Sequence, residues 1–386
     1  MTSMLFILLG LLTTCGQKGM PVKSGADRLD HYLPMLRDKN FALVANHTSV
    51  VGDRHLVDTL LASGISKNQL LKVFAPEHGF RGEVAAGGQV KDGIDPCTGI
   101  SIVSLYGNHK KPLPEELNDV DLVVFDLQDV GARFYTYIST LHYVMEACAE
   151  NEIPLMILDR PNPNGGYVDG PVLESEFSSF VGMHPIPVVY GLTIGELAKM
   201  INGEGWLHGG IQCDLKVVIC DHFFHGKPYS MPVSPSPNLT NDHAILMYPS
   251  TCFFEGTIVS EGRGTAHPFE VYGHPDMQGE FYFTPVSIPG VSGDPKFRDQ
   301  LCYGANLTEF VPAGGWNRIH LQWLLDAYSM YPRKEEFFTA YFEKLTGTRS
   351  LRKQIEMGWT EDQIRQSWKK DLEQYLEIRK KYLIYD

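Results

Sequence analysis

From about residue 25 to residue 220, short continuous apolar runs alternate with stretches whose apolar residues recur at helical spacing. FALVANH (41–47), LLKVFAPEHG (71–79), SIVSLYG (101–107), DLVVFDLQD (121–129), PLMILDRPNP (154–163) and CDLKVVIC (213–220) are the strand-like runs. Between them, Leu56, Leu60 and Leu61 mark one helix, and Leu141, Val144, Met145 and Cys148 mark another. TIGELAKMI (193–201) opens with Thr193 and carries Glu196 three residues on, the pattern of a capping box. Strands that are apolar throughout, separated by helices, predict an α/β fold. The sheet is expected to be parallel, with helices on both faces.

After about residue 235 the rhythm changes. PVSPSPNLTN is rich in Pro, Ser and Asn and predicts a loop or boundary. GEFYFTPVSIPG (279–290) has the pattern of a more exposed strand, and two or three helices are expected to finish the chain. In the last, Ile364, Trp368, Leu372, Tyr375 and Leu376 form one apolar stripe. Residues 25–235 are therefore expected to form the larger α/β domain, and 236–386 a smaller α+β domain packed on it.

Residues 1–20 belong to neither unit. The apolar stretch from Met4 to Leu12 is too short to span a bilayer but suits the core of an export signal. The Leu-Thr-Thr-Cys that follows resembles a lipoprotein processing site, with Cys15 as the lipidated residue. No Lys or Arg precedes the apolar run, and Thr14 is larger than usual there, so plain secretory cleavage stands as the alternative. Either way an exported protein is expected, periplasmic or membrane-anchored. Of the six later cysteines none forms a CxxC pair, and the apolar surroundings of Cys148, Cys213, Cys220 and Cys252 predict buried free thiols. A formal net charge of -13 argues against a nucleic-acid partner.

In an open parallel sheet, ligands bind beyond the carboxyl ends of the strands. Here those ends read ANHTS (45–49), PEHGFRGE (76–83), DLQDVGARFYTY (126–137) and DRPNPNGG (159–166). The second half adds SPSPN (234–238) and FEGTIVSEGRGTAHPF (254–269). Each has a plain structural reading: Asn46 and Thr48 as helix caps, DRPNPNGG as a turn, Asp126 and Asp129 as a solvated strand end. Together they gather carboxylates, arginines, amides and aromatics at one edge.

The first strand is followed by neither GxGxxG nor a Walker loop, so no nucleotide cofactor is expected. GxSxG and HExxH are absent, and adjacent Glu77 and His78 would leave a strand on opposite faces, so no metal is assigned. What remains is carboxylate chemistry of the kind that cleaves glycosidic bonds. Glu77 is the candidate acid, desolvated in part by neighbouring Phe80; an ion pair with Arg81 is its structural alternative. Asp126, Asp129, Glu255 and Glu261 all qualify as the second carboxylate, with Asp129 and Glu255 placed in the catalytic set. For a 2-acetamido sugar, the substrate's own amide can replace the nucleophile. Arg81, Arg133, Arg160 and Arg263 would grip an anionic substrate through their two-pronged guanidinium groups. Phe80, Phe134, Tyr135 and Tyr137 offer faces for sugars.

PEHGFRG, DLQDVGARFYTY, DRPNPNGG and EGTIVSEGRGT occur in the order found in a known family. Across nearly the whole mature chain, the sequence resembles the exo-acting β-N-acetylmuramidases of glycoside hydrolase family 171, the NamZ-type enzymes. The resemblance implies a Rossmann-like domain, a smaller auxiliary domain and an active site in the cleft between them. It also implies release of N-acetylmuramic acid (MurNAc) from the non-reducing ends of peptidoglycan fragments, with Glu77 as a catalytic residue. Arg81, Gln128, Arg133, Asp159, Arg160 and Arg263 occupy matched motif positions as pocket residues. Asn46, His78, Asp126, Tyr135, Asn162 and Glu261 complete the expected substrate-binding set. ANHTS departs from a more glycine-containing first turn, which leaves open what Asn46 and His47 do there. A non-catalytic binder of anionic sugars and a metal-dependent amidase or esterase are the competing readings.

Overall fold

The structure is a computed structural model and describes residues 20–82, 88 and 90–385. Cys15, the expected lipidation position, and Glu83 of PEHGFRGE lie outside the described residues.

The chain enters through helix α1 (Leu29–Leu36) into strand β1 (Phe41–Ala45). A short hairpin, β2 (Val50–Val51) and β3 (Arg54–His55), leads to α2 (Leu56–Ala62) and β4 (Leu70–Ala75). Then come β5 (Gly93–Ile94), β6 (Ser101–Ser104), β7 (Leu122–Asp126), α3 (Tyr137–Glu150), β8 (Leu155–Leu158), α4 (Ile194–Gly203) and β9 (Leu215–Val218). Seven strands form one sheet in the order β5-β6-β4-β1-β7-β8-β9. Six are parallel; β5 pairs antiparallel with β6 at one edge. The parallel strands follow the 3-2-1-4-5-6 order of a Rossmann sheet, with the winding direction reversing between β1 and β7.

Both faces of the sheet are covered. All five residues of β1 are fully buried, with Ala42 and Val44 in one core and Phe41, Leu43 and Ala45 in the other. That two-sided burial explains why the strands carry no polar alternation. Thr193 and Glu196 cap α4 reciprocally, as their spacing predicts.

The second half holds α5 (Asp242–Thr251) and a three-stranded antiparallel sheet of β10 (Val271–His274), β11 (Phe281–Phe283) and β12 (Cys302–Asn306). Four helices follow rather than two or three: α6 (Gln322–Met330), α7 (Phe342–Thr346), α8 (Ser350–Glu356) and α9 (Glu361–Arg379). The apolar stripe of α9 buries Ile364, Trp368 and Tyr375 against the first half. There Tyr375 donates to the Tyr190 carbonyl at 2.7 Å, and Arg379 to that of Gly191 at 2.9 Å. One hydrophobic core thus runs continuously from the sheet into the second half. Cys97, Cys148, Cys213, Cys220, Cys252 and Cys302 are free thiols, all buried except Cys97.

Candidate active site

The tail of β4 departs from an extended strand immediately after Ala75. His78 and Gly79 take left-handed conformations (φ 73° and 76°), and the Gly79 amide closes a turn onto the Pro76 carbonyl at 3.1 Å. In this turn Glu77 and His78 line the same cleft, whereas neighbours in a strand would face opposite ways. The cleft measures about 600 Å³, within the range of small-molecule sites.

One wall belongs to the Rossmann sheet. Tyr106, just past β6, donates its phenol to Glu77 Oε1 at 3.0 Å, and Thr136, at the N-terminus of α3, donates to Oε2 at 3.2 Å. Burial and the Glu77 charge push the Tyr106 phenol upward, so it remains a donor. Tyr137 donates to the Glu77 carbonyl at 3.4 Å and accepts from Asn46 Nδ2 at 2.6 Å, tying the ends of β4 and β1 to α3. Phe80 is absent from this wall. It is buried in the core, edge-on to His55. Among the described residues, the Glu77 carboxylate meets the hydroxyls of Tyr106 and Thr136 and not the Phe80 ring.

The opposite wall comes from the second half and is ionic. Arg263 donates to Glu255 at 2.6 Å and pairs with Glu261 at 3.2 Å. Lys296 lies 3.2 Å from Glu261 and donates to the carbonyls of Phe254, Thr257 and Val259. Burial alone would raise the Glu261 carboxyl, but Lys296 and Arg263 hold it below the usual range. Two carboxylates and two cations make this quartet neutral overall. Phe134, Tyr135, Tyr248 and Tyr341 line the space between the walls.

Three of the four expected arginines are elsewhere. Arg81 is held by Asp58 at 3.1 Å and Asp95 at 2.8 Å, and with Thr98 it keeps Asp95 near pKa 2 against the effect of burial. Arg133 is fully buried and donates to the carbonyls of Pro171, Ile186, Leu345 and Thr346; burial without a counter-charge lowers it to about 9. It thus pins the second half to the first. Arg160 grips Asp126 with two bonds, of 2.6 and 2.9 Å, inside the protein. Only Arg263 of the four lines the cleft.

The remaining carboxylates and amides of the sheet edge are likewise engaged in structure. Asp129 is buried, bonded to the Tyr190 phenol and the Gly131 amide, and raised to about 6 by desolvation. It does not line the cleft, and neither does Asp126. Asp159 accepts from Thr193, Gly195 and Tyr385. Gln128 reaches the carbonyls of Asp129 and Pro161, and Asn162 that of Leu192. Gly131 (φ 79°) is needed because a Cβ there would lie 2.1 Å from Asn162 Oδ1, which interlocks DLQDVGARFYTY with DRPNPNGG. Asn46 caps no helix: it accepts from Thr48, and His55 is the N-cap of α2. His47 bonds the Ser234 carbonyl at 2.9 Å.

At the β1–β7 reversal, the crevice that other Rossmann sheets open to nucleotides is bridged by the protein itself. The Asn46 amide donates to Ser49 Oγ at 3.0 Å, and Ser49 donates to the Asp126 carbonyl. Among the described residues, no group of three or more His, Cys, Asp or Glu is placed to hold a metal ion. The cleft residues outside the expected set include Tyr106, Thr136, Tyr248, Lys296 and Tyr341. Tyr106 follows SIVSL, so the strand-end rule that picks out Glu77 picks it out too. Lys296 carries no comparable signal.

Family models described as the N-terminal and C-terminal parts of exo-beta-N-acetylmuramidase NamZ match residues 41–243 and 246–385. The chain belongs to this family. It is 41% identical to peptidoglycan beta-N-acetylmuramidase NamZ of Bacillus subtilis, over 94% of this chain and 91% of that protein. Two crystal structures of DUF1343 family proteins from Bacteroides fragilis share the NamZ-family fold. One superposes with a TM-score of 0.87 at 45% identity, covering 95% of this chain and 99% of its own. The other gives 0.82 at 27%, with the same coverage.

Proposed function

We propose that the cleft is where this chain, a glycosidase of the NamZ family, removes terminal β-linked MurNAc from the non-reducing ends of peptidoglycan fragments. The observation that carries this reading is the placement of Glu77. Its carboxyl is oriented by two hydroxyls on one wall and faces a wall holding Glu255, Glu261 and Arg263. Glu77 then delivers the proton to the leaving glycosidic oxygen. Of the four candidates for the second carboxylate, Glu255 is favoured. Asp126 and Asp129 do not line the cleft, and Glu261 is neutralised by two cations. Glu255 would orient the acetamido group or act at C1 itself.

Arg263 uses Nε and Nη2 for its two glutamates, leaving Nη1 for the lactyl carboxylate of MurNAc. Because the quartet is neutral, that anion meets no net repulsion from it.

The test is hydrolysis of a chromogenic β-MurNAc glycoside and of short glycans with MurNAc at the non-reducing end. Release of MurNAc from both is expected. Binding without product on long incubation would return the non-catalytic reading, and a wild type inert toward all such substrates contradicts the assignment. We also propose export and lipidation at Cys15, supported by the apolar segment Met4 to Leu12 and the Leu-Thr-Thr-Cys that follows. A clickable fatty acid fed to expressing cells should label the wild type and not Cys15→Ser.

A further inference from the structure

Tyr341 stands one residue before α7 and lines the cleft from the second half. Its backbone is fixed relative to Glu255. Thr339 bonds the Gly256 carbonyl through both its amide (2.9 Å) and its hydroxyl (3.0 Å). A Cβ at Gly256 would come within 2.5 Å of Phe342 Cα, so the Glu255 turn and the start of α7 are in direct backbone contact. Glu255 and Tyr341 therefore form one rigid unit.

The other phenols of the cleft have acceptors or partners in the protein. Tyr106 donates to Glu77, Tyr135 to the Pro235 carbonyl at 2.6 Å, and Tyr137 to the Glu77 carbonyl; Tyr248 interacts with the Cys252 thiol. Among the described residues, the Tyr341 hydroxyl has no hydrogen-bond partner, although its ring is half-buried against the core. Burial, followed by the charges of Glu255 and Glu77, pushes its phenol upward, which places it within electrostatic reach of both walls and keeps its proton on. A rigid, protonated donor without a protein acceptor, facing a cleft, is built to meet a ligand.

We propose that Tyr341 is a further catalytic residue, whose hydroxyl donates a hydrogen bond to an uncharged oxygen of the terminal sugar held between Glu77 and Glu255. An anionic oxygen is disfavoured at that spot by the two carboxylates, so the recognised group is a hydroxyl or the amide carbonyl, and the lactyl carboxylate lies toward Arg263. No proton leaves Tyr341 during turnover; the bond strengthens as the sugar reaches its transition state.

This inference rests on the reading of the cleft as a MurNAc glycosidase site, and the test separates the two. Full-length wild type, Tyr341→Phe and the control Tyr282→Phe, whose ring is 61% exposed on β11, are assayed on the chromogenic β-MurNAc glycoside. Binding of free MurNAc and thermal midpoints are measured on the same samples. Tyr341→Phe is expected to lower kcat/KM about ten- to a hundredfold, mainly through kcat, with an unchanged thermal midpoint. Tyr282→Phe should match the wild type.

Equal turnover and equal MurNAc affinity in Tyr341→Phe overturn the proposal, and so does a loss that merely tracks a lowered thermal midpoint. Should wild type bind MurNAc without hydrolysing the glycoside, the glycosidase reading fails. A weaker MurNAc affinity in Tyr341→Phe would then still support the contact. A wild type that neither binds nor cleaves overturns both.

Discussion

Two stretches of the same sheet edge carry nearly the same residue types and come to opposite ends. At or past the ends of β7 and β8 stand Asp126, Asp129, Asp159 and Arg160; past β4 and β6 stand Glu77 and Tyr106. In the first stretch every carboxylate is buried and bonded to a permanent partner: Arg160, Tyr190 with Gly131, or Thr193 with Tyr385. In the second, the carboxylate is held by two hydroxyls and borders an open cleft. A charged group at a strand end becomes part of the scaffold when its partner is a fixed counter-charge or a closed set of donors. It remains within reach of a ligand when it borders a cleft.

The contrast is broken most severely at the buried ion pair. Arg160→Met should cost about 3–5 kcal/mol in a denaturant titration, because Asp126 is left charged and unpaired in the interior. The folded fraction should keep near-normal kcat/KM, since neither residue lines the cleft. A variant that is stable but inactive would move this pair to the functional side.

A pH series sharpens the same point at Asp129. Burial raises it from an ordinary 3.8 to about 6, so the fold holds its proton where the unfolded chain has released it. Its contribution to stability is whole below about pH 4 and gone above about pH 6, a loss of about 2–3 kcal/mol. Asp129→Asn removes that dependence, so its stability relative to wild type should improve by this amount between pH 4 and pH 7. A constant difference across that range would contradict the burial account.

Two smaller effects concern the cleft. Glu255→Gln weakens the grip on Arg263 and removes the favoured second carboxylate. A fall of about tenfold to a hundredfold in kcat is expected with little change in stability, and Asp129→Asn should not reproduce it. Tyr106→Phe removes one of the two hydroxyls on Glu77 and should lower kcat/KM about tenfold, one hydrogen bond's worth. Equal activity would mean that the Tyr106 hydroxyl is not needed to orient the acid.

Much of the fold was legible in the sequence because burial on both faces leaves a simple record. β1, β7 and β8 are buried at every position, and the runs FALVA, LVVFD and LMIL contain one charged residue, at the very end of β7. The antiparallel edge strand β5 left no such record, since Gly93 and Ile94 are both exposed. Glu77 was legible from its position at a strand end, although its neighbourhood was not. Phe80, beside it in sequence, turns into the core, and Tyr106, 29 positions away, provides the contact.

The arginines were the least legible part. Sequence places a guanidinium near a strand end but does not say what neutralises it. Arg81 finds Asp58 and Asp95, while Arg133 finds four backbone carbonyls up to 213 positions away. Such partners depend on tertiary packing, and no local pattern records them.

The central claim is that Glu77, oriented at the cleft by the hydroxyls of Tyr106 and Thr136, is the group that acts. Steady-state turnover of a β-MurNAc glycoside by Glu77→Gln, alongside its thermal midpoint, tests this directly. Glutamine keeps the shape and can still accept from Tyr106, so the midpoint should stay within a few degrees while kcat falls by at least about a thousandfold. A correctly folded Glu77→Gln that retains a tenth or more of wild-type turnover would contradict the claim.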